Sequence, residues 1–130
     1  MKNLIIFLLL FASVISAQSS KVLSGADVLL KDSLHLIENK NIGIITNHTG
    51  ILSNSVHIVD TLNSLENVNV VVLFGPEHGI RGDAPDGQTI TDGKDSKTGI
   101  QVYSLYGKTR KPTPEMLKNV DLLIFDIQDI

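Results

Sequence analysis

Two uninterrupted apolar runs constrain the fold of this chain more than any other feature. "VNVVVLF", residues 68–74, and "LLIFDI", residues 122–127, carry apolar side chains at nearly every position rather than at alternate ones. This pattern is typical of strands buried on both faces, as in parallel sheets. Other segments space their apolar residues three or four apart, which indicates helices. The alternation predicts an α/β fold, a Rossmann-like parallel sheet with helices on both faces.

The same spacing predicts the individual elements. The predicted helices are 26–39, a second one capped by Asn54 or Ser55, and a third with Thr113 as its N-cap and Pro114 at its first position. The predicted strands are 41–46, 68–74, 101–104 and 122–127. Residues 75–99 hold six glycines and two prolines, and they are expected to form a long loop region.

Composition excludes several classes of function. The chain has 130 residues with 11 Lys and Arg against 14 Asp and Glu, a net charge of -3, so it lacks the basic character of a nucleic-acid-binding protein. It has no cysteine, which excludes disulfides, thiolate metal sites and a cysteine nucleophile. Dinucleotide and phosphate-loop glycine motifs and the G-x-S-x-G elbow are also absent from the sequence.

The first residues have the pattern of a secretory signal peptide. "MKNLIIFLLLFASVISA" has an early lysine, an apolar run from Leu4 to Ile15, and small residues near Ala17. The run is shorter than the roughly 18 residues that span a bilayer, although an uncleaved anchor or a buried helix is the alternative. We therefore expect residues 1–17 to be removed, and the product to be secreted or periplasmic with no stable membrane anchor. Because the chain stops just after a strand, residues 18–130 are interpreted as the incomplete N-terminal part of a Rossmann-like catalytic domain.

Three polar clusters follow predicted strands: "TNHTG", "GPEHGIRGD" and "DIQD". In open parallel sheets, ligands bind beyond the carboxyl ends of the strands. The clusters are therefore expected to share one edge of the sheet. The candidate site residues are Asn47, Thr49, Glu77, His78, Arg81, Asp126, Gln128 and Asp129.

Glu77 is the candidate proton-transfer group. It follows Gly75 and Pro76 on a turn at a strand end, where a carboxyl group can act as a general acid or base. His78 and Arg81 can orient it or bind an anionic part of a substrate, and arginine suits carboxylates because it can donate two parallel hydrogen bonds. The alternative is that Glu77 pairs with Arg81 and only holds the loop in place.

The other two clusters are candidate binding groups. The amide of Asn47 and the hydroxyl of Thr49 can hydrogen-bond a sugar, although both residues are also ordinary turn formers. In an extended strand Asp126 and Gln128 lie on one face and Asp129 on the other. The alternative for these three is a solvated strand end.

The histidines do not have the spacing of a metal site. No His-x-x-x-His pair occurs, and His35 and His57 lie on predicted helices, where they are expected to be surface or packed residues. A zinc site built from His48, His78 and Asp126 is an alternative. No cofactor is predicted.

Five motifs in one order resemble a known family: "GIITNHTG", "LFGPEHGIRGD", "TGIQVYSLYG", "PTPEML" and "DLLIFDIQDI". Residues 25–130 are similar to the N-terminal part of the bacterial exo-β-N-acetylmuramidases of the NamZ type, long catalogued as a domain of unknown function. The resemblance implies a Rossmann-like domain followed by a smaller domain, with a cleft between them. It implies release of terminal N-acetylmuramic acid from the non-reducing end of peptidoglycan fragments, in cell-wall turnover and recycling.

The resemblance also implies roles for particular residues. Glu77 matches the family's proposed catalytic carboxylate, with His78 tuning its acidity, while a second glutamate lies beyond Ile130. Arg81 or His78 is expected to bind the lactyl carboxylate of muramic acid. His48, Ile80 and "DAPDGQTI" depart from the family pattern and put details of the pocket in question. The rival hypotheses are a metal-dependent hydrolase using His48, His78 and Asp126, and a non-catalytic periplasmic protein that binds muropeptides or sugars. Residues 18–130 alone are expected to be inactive.

Overall fold

The computed structural model describes residues 22–83 and 91–127, which form one sheet with short helices. Its strands are β1 (Asn41–Thr46), β2 (Asn69–Gly75), β3 (Gly93–Lys94), β4 (Gln101–Ser104) and β5 (Leu122–Asp126). Its helices are α1 (Gly25–Asp32), a 3-10 turn (Leu34–Leu36) and α2 (Ile58–Asn63). Within these ranges no helix has the length and apolar character needed to cross a membrane. The predicted signal peptide, Gln128 and Asp129 lie outside the described residues.

The strand order is β3-β4-β2-β1-β5. Strands β4, β2, β1 and β5 are parallel, and β3 is antiparallel to β4. This confirms the predicted α/β, Rossmann-like parallel sheet, with the two-residue β3 as an addition. The chain runs outward from β1 through β2 to β4 and then returns to β5 on the other side of β1. The topological switch point, where ligands bind in such sheets, therefore lies between β1 and β5.

A bulge in β2 decides which side chains face which layer. The pairing with β1 runs from Ile42 opposite Val70 to Gly43 opposite Val72, so Val71 is an extra residue. One inserted residue reverses the alternation of faces. Val70 and Leu73 consequently pack in one buried cluster, and Val72 packs in the other.

The predicted helix 26–39 is too long, because the observed helix is α1, Gly25–Asp32. It begins with a capping box, in which the Ser24 hydroxyl accepts a hydrogen bond from the Asp27 N–H and the Asp27 carboxylate accepts one from Ser24. Asp27 also accepts from the Ser53 N–H at 3.1 Å, and these bonds lower the pKa of Asp27 to about 2. The helix ends at Asp32 because Asp and Ser side chains compete with the helical backbone, and Ser33 leaves helical geometry.

The predicted cap of the second helix is also wrong. Asn54 closes a turn of its own by accepting from the Val56 N–H at 3.0 Å, and Ser55 adopts φ 65°. Helix α2 instead begins after His57, whose side chain accepts from the Val59 N–H. The helix buries Ile58, Val59 and Leu62 in the larger cluster.

The third predicted helix is absent from the described residues, so the second face of the sheet is not covered by a helix as predicted. Thr113 does accept from the Met116 N–H at 3.4 Å, as an N-cap would. Residues 114–119 then form consecutive turns, because β5 begins at Leu122 and leaves no length for a cooperative helix. These turns pack Met116 and Leu117 against the smaller buried cluster, which contains Ile45, Val72 and Phe74.

Strand β5 is not buried on both faces as predicted, and it ends at Asp126 rather than at residue 127. Leu122 and Ile124 pack against the larger cluster. Leu123 is 39% exposed and Phe125 69% exposed, because no element within residues 22–83 and 91–127 covers that side of the strand.

Candidate active site

The loop after β1 is a closed turn that brings Asn47 and Thr49 together. The Asn47 side-chain oxygen accepts from the Thr49 N–H at 3.0 Å and from the Thr49 hydroxyl at 2.6 Å. The Gly50 N–H donates to the Asn47 carbonyl at 3.1 Å. A Cβ at Gly50 would collide with the buried hydroxyl of Thr46, so only glycine permits this close approach. Both the binding and the turn-forming interpretations of Asn47 and Thr49 are compatible with this geometry.

His57 joins this loop to α2. One ring nitrogen, Nδ1, accepts from the Val59 N–H at 3.3 Å, which leaves the proton on Nε2. Nε2–H therefore donates to the Asn47 carbonyl at 2.9 Å. The Ile58 N–H adds a bond to the Gly50 carbonyl at 2.8 Å. Burial, with the charge of Arg81 as a smaller contribution, lowers the pKa of His57 and favours this neutral form.

Sequence reasoning placed His57 on a helix as a surface or packed residue, and so it missed this role. The available signal was its position directly before the apolar-periodic segment "IVDTL", which is where an N-cap stands. Histidine is not among the common caps, which is why Asn54 and Ser55 were favoured.

Asp126 ends β5 directly opposite Thr46 of β1, at the switch point of the sheet. Its Oδ2 atom is buried and has no hydrogen-bond partner among the described residues. Burial raises the pKa of Asp126, and the nearby imidazole of His57 partly opposes that rise. A carboxyl group in this position holds its proton to a higher pH than an exposed one does.

Glu77 lies on a tight turn beyond β2. Gly79 donates its N–H to the Pro76 carbonyl at 3.0 Å, and His78 and Gly79 have φ values of 69° and 72°. A positive φ is uncommon for a residue with a side chain, and such strained positions cluster at functional sites. The Glu77 carboxylate accepts a hydrogen bond from the Tyr106 hydroxyl, which raises the pKa of Tyr106.

Arg81 is held by other carboxylates than that of Glu77. Its guanidinium donates to both oxygens of Asp95 at 2.8 Å and to Asp60 at 2.6 Å. The side chains of Arg81 and Asp95 are 12% and 1% exposed. Thr98 donates its N–H and its hydroxyl to the same carboxylate. The bonds from Arg81, with a smaller contribution from those of Thr98, hold the pKa of Asp95 far below its ordinary value. These contacts attach Arg81 and residues 95–98 to α2, and substrate binding by Arg81 stays a prediction.

The surface beside these residues is concave. A cavity of about 310 Å³ is lined by His48, His57, Arg81, Asp83, Ser96 and Lys97. Within residues 22–83 and 91–127, no three His, Cys, Asp or Glu side chains converge as metal ligands. The alternative zinc triad of His48, His78 and Asp126 is thus not brought together by the fold.

The candidate residues form two groups at one edge of the sheet. Glu77 and Tyr106 lie beyond β2 and β4, while Asn47, His57 and Asp126 lie beyond β1 and β5. Each group contains one carboxyl residue, and glycoside hydrolysis typically uses two carboxyl groups that flank the glycosidic bond. Gln128 and Asp129, which follow Asp126, lie outside the described residues.

The chain is similar to a curated peptidoglycan β-N-acetylmuramidase and to a solved structure. The curated peptidoglycan β-N-acetylmuramidase NamZ of Bacillus subtilis (strain 168) is 51% identical over 115 residues, which cover 88% of this chain and 28% of that relative. The crystal structure of a DUF1343 family protein from Bacteroides fragilis NCTC 9343 matches with a TM-score of 0.73 at 50% identity. That match covers 83% of this chain and 26% of the other. The chain thus spans little more than a quarter of the length of these relatives.

The family assignment rests on the strands and loops that carry the site. A family model described as the N-terminal part of the exo-β-N-acetylmuramidase NamZ matches residues 42–130. That range begins within β1 and includes every candidate site residue from Asn47 to Asp129. Because the match covers more than half of the sequence, this chain belongs to the NamZ N-terminal family of exo-β-N-acetylmuramidases.

Proposed function

We propose that this chain is part of an exo-acting glycosidase that releases terminal N-acetylmuramic acid from the non-reducing end of peptidoglycan fragments. The observation that carries the proposal is the position of Glu77, on a strained turn at the carboxyl edge of the sheet with its carboxylate bonded to Tyr106. The name of the Bacillus subtilis relative supports the same activity. The signal-peptide pattern of residues 1–17 supports action outside the cytoplasm, in cell-wall turnover and recycling.

In this proposal Glu77 transfers the proton. Cleavage of a glycosidic bond requires protonation of the leaving oxygen, which a positioned carboxylic acid supplies. Tyr106 holds the Glu77 carboxyl in place through its hydroxyl, and it stabilises the carboxylate that remains after proton transfer. His78, next in the chain, orients the Glu77 carboxyl.

The groups beyond β1 and β5 bind the sugar. Asp126 carries a buried oxygen that no described residue satisfies, so a hydroxyl or amide of the substrate can supply the missing bond. Asn47 and Thr49 form a rigid turn alongside it, held by His57. Rigid donors and acceptors hold a sugar ring with little loss of conformational entropy.

The test uses the full-length protein with chromogenic β-glycosides of N-acetylmuramic acid and of N-acetylglucosamine. We expect hydrolysis of the muramic acid glycoside, and Glu77→Gln should lower kcat by about 10²- to 10⁴-fold, the usual contribution of general acid–base catalysis. Product analysis of peptidoglycan fragments should identify muramic acid freed from the non-reducing end. Full activity of the Glu77→Gln enzyme would remove Glu77 from the mechanism.

The two rival functions predict different results in the same assay. A non-catalytic binding protein would bind the glycoside without turnover, and Glu77→Gln would change affinity alone. A metal-dependent hydrolase would lose activity when a chelator is added, whereas a two-carboxylate glycosidase would not.

A further inference from the structure

A loop with three cations follows β4 in an otherwise acidic chain. Residues 107–111, here named the basic loop, contain Lys108, Arg110 and Lys111, which are all exposed. The whole chain has 11 Lys and Arg against 14 Asp and Glu, so three cations within four positions are a local reversal of charge. The loop therefore creates a positive patch at one end of the sheet.

The basic loop is attached to the turn that carries Glu77. Immediately before the loop, the Leu105 N–H donates to the carbonyl of Gly75 at 2.8 Å, and Tyr106 hydrogen-bonds the Glu77 carboxylate. The charge of Arg110 also acts on the Tyr106 hydroxyl. The positive patch thus lies beside the proposed proton-transfer group.

Internal hydrogen bonds fix the shape of the basic loop. The Ser104 hydroxyl donates to the Tyr106 carbonyl at 3.0 Å and accepts from the Tyr106 N–H at 3.1 Å. The Thr109 hydroxyl donates to the Lys111 carbonyl at 2.6 Å. A cavity of about 150 Å³ lies against the loop, and its lining includes Asp92, Tyr106, Lys108 and Thr109. The Asp92 carboxylate in this lining accepts a hydrogen bond from the Ser104 N–H at 2.9 Å. The backbone is thus ordered before any ligand arrives, which lowers the entropic cost of binding.

The cations of the basic loop form no ion pair within residues 22–83 and 91–127. In those ranges the ion pairs of Lys and Arg side chains are those of Arg81 and Lys97, with Asp60 and Asp95. Arg81, the expected partner of the substrate's carboxylate, instead donates three hydrogen bonds to Asp95 and Asp60. The basic loop therefore offers cations whose charge is not already neutralised by a described carboxylate.

We infer that the basic loop binds the carboxylate borne by the 3-O substituent of the amino sugar, with Lys108 and Arg110 as its main contacts. This inference rests on the proposed function and adds the subsite that separates muramic acid from neutral amino sugars. The same carboxylate chemistry is offered by the free lactyl group and by a peptide attached to it. Ammonium and guanidinium groups bind either through charge-assisted hydrogen bonds.

A binding measurement tests this without requiring turnover. Isothermal titration of the full-length protein would use N-acetylmuramic acid, its neutral lactyl amide, and the alanine conjugate, in which the carboxylate is one residue further out. We expect wild type to bind N-acetylmuramic acid about tenfold more tightly than the amide, the order of one charge-assisted contact at a solvated site. Preference for the alanine conjugate over the amide would show that the loop also accepts a peptide carboxylate.

Charge-neutral variants give the decisive comparison. Lys108→Gln combined with Arg110→Gln should abolish the preference for the acid over the amide while leaving binding of the amide unchanged. Lys118→Gln is the matched control, because Lys118 is an exposed cation just before β5 and so at the amino end of the sheet. That variant should keep the wild-type preference.

The outcomes separate this inference from the proposed function. Equal affinity of wild type for the acid and the amide, or an unchanged preference in the double variant, overturns the inference even where the glycoside is hydrolysed. Failure of wild type to hydrolyse the glycoside overturns the proposed function. If wild type prefers the acid over the amide and the double variant does not, the carboxylate subsite is supported, whether or not the glycoside is hydrolysed.

Discussion

Arg81 and Glu77 are four residues apart in "GPEHGIRGD", yet the structure gives them opposite surroundings. Arg81 donates three hydrogen bonds to the carboxylates of Asp95 and Asp60, and the side chain of Asp95 is 1% exposed. Glu77 is only partly buried and is bonded to a hydroxyl, that of Tyr106. A charge that the protein itself neutralises stabilises the fold, whereas one without such a counter-charge can act on a ligand. Asp126, whose Oδ2 atom has no hydrogen-bond partner among the described residues, resembles Glu77 in this respect.

The largest effect on stability is expected when Arg81 is replaced. Arg81→Gln leaves the Asp95 carboxylate buried without its counter-charge, so the free energy of unfolding should fall by about 3–5 kcal/mol. Chemical denaturation of the full-length protein measures this. Lys97→Gln is the control: Lys97 is 65% exposed and pairs with Asp60 at 3.3 Å, so its loss should cost no more than about 1 kcal/mol. An Arg81→Gln protein of normal stability that no longer binds substrate would show that Arg81 binds substrate and does not stabilise the fold.

A smaller loss of stability is expected when His57 is replaced, because His57, like Arg81, stabilises the fold. His57→Ala removes the cap of α2 and the bond to Asn47, and should lower the free energy of unfolding by about 1–2 kcal/mol. His57→Asn, which restores a capping side chain, should recover part of that loss. Equal stability of the alanine, asparagine and wild-type proteins would show that the cap contributes nothing.

The pH dependence of stability gives a further test of His57. Burial lowers its pKa in the folded state, so the folded protein binds fewer protons than the unfolded one as pH falls below about 6.5. The stabilisation by neutral His57 is therefore complete above that pH and is lost on acidification. The raised pKa of Asp126 acts in the opposite direction. The quantity to measure is therefore the difference in the free energy of unfolding between wild type and His57→Asn. A difference that does not change between pH 7 and 5 would contradict the neutral, Nε2-protonated form.

A small effect on stability is expected for Asp126. Asp126→Asn replaces a carboxyl group whose buried Oδ2 atom has no partner in the part of the chain that the structure describes, so at pH 7 the free energy of unfolding should change by less than about 1 kcal/mol, in either direction. Activity on the muramic acid glycoside should nevertheless fall, since Asp126 is proposed to bind the sugar. Strong destabilisation with full activity per folded molecule would mean that Asp126, like Arg81, stabilises the fold and does not bind the sugar.

The parallel sheet could be predicted from the sequence because each central strand has an apolar pattern within its own short segment. "VNVVVLF" is apolar at every position except Asn69, and β1 and β4 have the bounds that the sequence predicts. Each of the three helix predictions failed for a different local reason. Asp32 and Ser33 shorten α1, Asn54 closes its own turn, and the start of β5 truncates the segment after Thr113.

The placement of candidate residues at one edge of the sheet could be predicted from the sequence, but their partners could not. Topology alone brought the candidate carboxyl and amide groups to one edge. What a sequence does not contain is the list of partners across the fold. Asp60 and Asp95 lie 21 and 14 residues from Arg81 and determine its role, and His57 reaches back ten residues to Asn47.

The most direct test of the division between Arg81 and Glu77 is the free energy of unfolding of full-length Glu77→Gln, measured together with its kcat. The structure predicts a free energy within about 0.5 kcal/mol of wild type, because the replaced carboxylate forms no ion pair with Lys or Arg side chains within residues 22–83 and 91–127. It predicts a kcat on the muramic acid glycoside at least about a hundredfold lower. A Glu77→Gln protein that is several kcal/mol less stable, yet turns over substrate at the wild-type rate per folded molecule, would contradict this account.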